Sequence, residues 1–99
     1  MEPKYLPVKD TTEIIPLSWT FQDPTVVILN ATCTVSVESG TDATPSAILY
    51  SSPILQNNNQ VIQVITGGLD GVTYKIVMTC TLLDNTIPVF VAYLPVQAT

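Results

Sequence analysis

The chain has 99 residues, 46% of them hydrophobic and only 11% charged, with eight acids against three lysines (Lys4, Lys9, Lys75), no arginine and no histidine, for a net charge of −5. That is the length of one domain, with a charged fraction well under the usual ~25%, and its few cations argue against direct binding of DNA or RNA, which needs them to displace counterions from phosphates. Without histidine there is no His-based triad, acid–base pair or metal site, and no apolar run approaches the ~20 residues of a membrane span.

Residues 1–12 carry Pro3 and Pro7 with mixed charge and no clean alternation, and are expected to form an extended arm ahead of a domain spanning 13–99. The N-terminus lacks the basic region and apolar core of a secretory leader, so synthesis and retention in a cytosol are expected. That in turn favours reduced thiols at Cys33 and Cys80 over a disulfide. Six further prolines (Pro16, Pro24, Pro45, Pro53, Pro88, Pro95) leave little room for a long helix. The β-branched and aromatic residues between them, with recurring turn clusters, predict an all-β sandwich or barrel.

Trp19, in Ser18-Trp19-Thr20-Phe21, reads as a core anchor on an early strand. Residues 31–37 alternate, placing Ala31, Cys33, Val35 and Val37 on one face. Residues 38–46 read as a loop, and Asn57-Asn58-Asn59 as a tight turn. Residues 61–65 are apolar on both faces and predict a central or partner-covered strand. Tyr74, Ile76, Met78, Cys80 and Leu82 share a face of the next strand, which puts Cys33 and Cys80 in one interior. Leu83-Asp84-Asn85-Thr86 is a turn, and 87–96 is a strand apolar on both sides. Its flanking prolines predict an edge position, and so bare an apolar edge needs a cover, from within the chain or from a neighbouring subunit.

Between the last two central strands lies Thr66-Gly67-Gly68-Leu69-Asp70-Gly71-Val72-Thr73-Tyr74. A phosphate cradle would need a following helix and a Lys-Ser or Lys-Thr after the last glycine. A calcium loop would need several alternating oxygens and a closing glutamate. Here the glycines run straight into a strand and only Asp70 supplies a carboxylate. A turn fits: Gly67, Gly68 and Gly71 tolerate positive φ, and Tyr74 is placed to send its hydroxyl back to a nearby backbone group, as at the corner of Greek-key sandwiches. The cysteines are singly placed, without zinc spacing, and nothing brings two carboxylates together. No catalytic residue, metal site or cofactor is expected.

The stretch Gly68-Leu69-Asp70-Gly71-Val72-Thr73-Tyr74-Lys75-Ile76 resembles the corner of fibronectin-like and bacterial immunoglobulin-like domains. Over its length the chain resembles a family of small immunoglobulin-like structural proteins of tailed bacteriophages, the fibre–tail adaptors. The resemblance runs through Lys9-Asp10-Thr11-Thr12-Glu13, Ser18-Trp19-Thr20-Phe21, Ala31-Thr32-Cys33-Thr34-Val35, Gly40-Thr41-Asp42, the glycine corner, Cys80-Thr81-Leu82 and Leu94-Pro95-Val96. The chain departs from that pattern in having Thr11 where proline stands and in lacking arginine. The resemblance implies a single immunoglobulin-like β-sandwich of about seven strands and a non-enzymatic virion component made in the host cytoplasm. Such a component sits at the neck or tail and joins tail-tube or connector proteins to tail fibres, in a homo-oligomeric ring.

Low charge, two-faced apolar strands and an extended N-terminus point the same way, towards assembly by strand addition. The expected interface is the arm and the last strand, with Lys4, Tyr5, Leu6, Val8, Val89, Val91 and Tyr93 as contacts. Two other expectations stand beside it: a capsid decoration protein, and a host-surface or carbohydrate-binding module reading through the polar loops at 41–46 and 57–59.

Overall fold

Strict alternation builds the larger sheet. In the computed structural model, which describes residues 4–23 and 25–98, the longest strands are β3 (Ile28–Ser39) and β6 (Val72–Leu82), paired antiparallel. Every second residue of β6, from Val72 through Tyr74, Ile76, Met78 and Cys80 to Leu82, is buried. Each such side chain is worth about 1.5–3 kcal/mol in transfer from water, so a one-residue slip would expose them all. On β3, Ala31, Cys33, Val35 and Val37 face the same way and are half-buried.

The other strands are β1 (Lys4–Tyr5), β2 (Ile14–Thr20), β4 (Ile54–Gln56), β5 (Gln60–Thr66) and β7 (Val89–Val96), with one 3-10 turn over Pro45–Ile48. They form two sheets, ordered β1-β7-β6-β3 and β2-β5-β4. The fold is an all-β sandwich. Sorting β3, β6 and β7 into one sheet and β2, β5 and β4 into the other is the division of an immunoglobulin-like domain. Strand β5, at 61–65, is central in its sheet, as its two-sided apolar sequence requires. Trp19 on β2 packs against both halves of the core and lies 6.4 Å from the Phe90 ring on β7, which Phe21 meets edge-on at 5.4 Å.

Two expectations change. Strand β7 is not an edge: β6 pairs on one side and β1 runs parallel to it on the other, with Lys4 opposite Ala92 and Tyr5 opposite Tyr93. Pro95 is accommodated because its carbonyl accepts the Lys9 N–H at 2.9 Å, and a carbonyl is what proline retains. The N-terminal segment is likewise no separate arm from residue 4 onward. Leu6 N–H donates to the Tyr93 carbonyl, Gln97 N–H donates to the Lys9 carbonyl, and Leu6 packs on the core. Lys9 is only 1% exposed, and its ammonium donates to the carbonyls of Gly67 at 2.7 Å and Asp10 at 2.8 Å. The segment 4–9 thus covers β7 from Ala92 to Val96 from within the chain. Residues 1–3 of the expected arm lie outside the described residues.

Candidate interface

The aspartates of this chain serve the backbone. Each of its five aspartates accepts a backbone N–H: Asp10 from Thr12, Asp23 from Thr25, Asp42 from Thr44, Asp84 from Thr86 and Asp70 from Ala98. The first, second and fourth of these also accept the threonine hydroxyl two residues on. The bonds of Asp10, Asp23, Asp42 and Asp84 make Asx turns, in which the carboxylate stands in for a backbone acceptor. The bonds hold the carboxyls of Asp23, Asp42 and Asp84 below the usual aspartate range; for Asp42 the hydrogen bond from Tyr74 is the largest cause. Glu13 joins the first turn by accepting the Asp10 N–H at 2.7 Å.

The glycine corner closes through Tyr74, whose ring is fully buried. Its hydroxyl accepts the Leu69 N–H at 2.9 Å and donates to Asp42 at 2.7 Å. Gly67, Gly68 and Gly71 all have positive φ. A Cβ at Gly68 would come within 3.0 Å of Val96, whereas one at Gly67 would meet open space. Asp70 sits in the same turn and ties the C-terminal end through Ala98. Cys33 and Cys80 are free thiols, and burial pushes that of Cys33 up to about 11 and raises that of Cys80. Among the described residues no group of three or more Cys, Asp or Glu side chains converges as a metal site would require, and no helix is long and apolar enough to cross a membrane.

An apolar surface does form, on the outer face of the four-stranded sheet. Tyr93, Val91 and Val89 alternate along β7 away from the buried Ala92 and Leu94. Across the register, Tyr93 lies beside Tyr5 on one side and Lys75 on the other, Val91 beside Val77, and Val89 beside Thr79. Val77 in turn neighbours Thr34 of β3. Tyr5, 78% exposed, stacks on Tyr93 with ring centroids 4.9 Å apart. The surface therefore has a tyrosine pair and three valines at its centre, with threonines towards β3. Tyrosine supplies large contact area with a polar tip, and is enriched at interfaces for that reason.

Of the seven expected contact residues, the fold brings Tyr5, Val89, Val91 and Tyr93 together on this face. It turns Lys4 and Leu6 the other way: both line a pocket against Leu17 and Trp19 of β2. Val8 is exposed in the segment after β1, outside any strand. Sequence reading missed Val77, although its place between inward-facing Ile76 and Met78 puts it on the outer face. It also missed Asp42, the second partner of the Tyr74 hydroxyl. Compared with family models, with curated proteins and with solved structures, the chain matches none.

Proposed function

We propose that this chain is a structural, non-enzymatic component of a tailed-phage virion, an adaptor at the neck or tail that joins tail or connector proteins to fibres. The observation that carries the assembly part of this reading is the outer face built by Tyr5, Tyr93, Val91, Val77 and Val89. Four aspartates cap turns, Asp70 ties down Ala98, and burial raises both thiols above their ordinary range. These commitments support a reading in which function lies with the exposed face. The virion part rests on the family resemblance of the sequence. In a ring, a contact of this kind is repeated at every subunit, so a modest patch suffices.

The test is incorporation. Val91→Glu and Tyr93→Lys place charge at the centre of the face without touching the core side of β7. Particles from a producing strain carrying either substitution are expected to contain little or none of the chain by immunoblot, while the purified variants melt like the parent. Normal incorporation of both variants contradicts the assignment of this face.

A further inference from the structure

Strand β3 is twelve residues long and pairs with β6 along one edge. From Asn30 to Val37 its other edge pairs with no strand among the described residues. Exposed edges are normally guarded by charge, proline, a bulge or a covering segment. Here no charged residue and no proline occurs between Ile28 and Val37, the register irregularities lie at the two ends, near Leu29 and Glu38, and the 3-10 turn Pro45–Ile48 packs near the strand without bonding to its backbone. The interior behind this edge is also open. Ala31 and Cys33 point inward, yet with Leu49, Ser51, Pro53 and Gln63 they line a slot of about 610 Å³ between the sheets. Gln63 is fully buried there; its amide donates to the Ser51 and Val64 carbonyls, while its Oε1 has no hydrogen-bond partner among the described residues.

We infer that β3 pairs with β3 of a second copy, antiparallel about a two-fold axis perpendicular to the sheet near Cys33, giving a dimer with one continuous eight-stranded sheet. Self-pairing suits this edge because it is electrically neutral and so repels no copy of itself. Glu38, the only charge on β3, falls at opposite ends of an antiparallel pair and never faces its equivalent. The exposed side chains Thr32, Thr34 and Ser36 are types that form favourable cross-strand pairs. The symmetry also places inward residues beside inward residues. The two open slots then adjoin beneath the seam, each sandwich covering the gap of the other. This contact is at the opposite edge of the sheet from β1, so it leaves the tyrosine–valine face free. It stands apart from the virion reading and needs no particle to test.

The test uses the purified full-length chain and light scattering after size exclusion over a range of concentrations. The parent is expected to be a dimer. Thr32→Lys with Thr34→Lys, and separately Thr32→Glu with Thr34→Glu, put like charges across the seam on the solvent face and should weaken the dimer on the order of tenfold or more. An equimolar mixture of the two variants should dimerise again whatever the exact register. Restoration on mixing separates pairing at this edge from simple damage to the strand. A parent that is monomeric at every concentration, a dimer indifferent to both double substitutions, or a mixture that stays monomeric overturns the inference.

Discussion

The hydroxyl of Tyr74 donates to the carboxylate of Asp42 at 2.7 Å, across 32 residues of sequence, and accepts the Leu69 N–H at 2.9 Å. One buried oxygen thus fastens the loop after β3 to the turn before β6. Tyr74→Phe keeps the ring and deletes both bonds, leaving the Leu69 amide without its acceptor. The expected loss is about 1–2 kcal/mol, read as a lower urea midpoint at unchanged slope. An unchanged midpoint would mean that water replaces the hydroxyl at no cost.

Acid stability follows from the same turns. The carboxyls of Asp23, Asp42 and Asp84 are held below the ordinary value of 3.8 by hydrogen bonds that the unfolded chain lacks. Below 3.8 the unfolded chain therefore binds more protons than the folded one, and stability must fall with falling pH. The contribution is complete about one pH unit above that value and is lost as pH drops through the folded-state values. Urea midpoints measured from pH 7 to pH 2 should be level from these groups above about 5 and decline below it. Tyr74→Phe should soften that decline, because it removes the largest cause of the shift at Asp42.

Lys9 makes the N-terminal segment part of the domain. Burial pushes its pKa down, while the nearby Glu13 and Asp10 pull it back up. Lys9→Met fills similar space but strands the Gly67 carbonyl, and should cost about 1.5–3 kcal/mol, the range for hydrogen bonds to charged groups. Lys4→Met, at an exposed site, should stay within about 0.5 kcal/mol. Equal effects from the two substitutions would contradict the role given to Lys9.

The inward set of β6 could be read directly, because Tyr74, Ile76, Met78, Cys80 and Leu82 alternate with no interruption. The two-faced apolar stretch at 61–65 fitted a central or a partner-covered strand, and it is the central one of its sheet. Strand β7 was misread because Pro95 looks like an edge signal, and only the pairing of its carbonyl with Lys9 shows how a proline fits in an inner strand. The arm was misread for a related reason. A two-residue strand such as Lys4–Tyr5 is too short to alternate, and the burial of Lys9 depends on carbonyls distant in sequence.

The aspartates did carry a local signal. Asp-x-Thr recurs at Asp10, Asp23, Asp42 and Asp84, and at every occurrence the carboxylate caps the threonine N–H. For the outer face, alternation placed Tyr93, Val91 and Val89 together, but Tyr5 joins them only through the parallel pairing of β1 with β7. No periodicity within a single segment could reveal that pairing.

The assignment to a phage tail is tested most directly by immunogold electron microscopy of intact particles from a producing strain, with antibody against this chain. Label clustered at the tail vertex is the predicted result. Label spread over the head would make the chain a decoration protein instead. Unlabelled particles, with the antigen shown to be accessible, would contradict the virion assignment altogether.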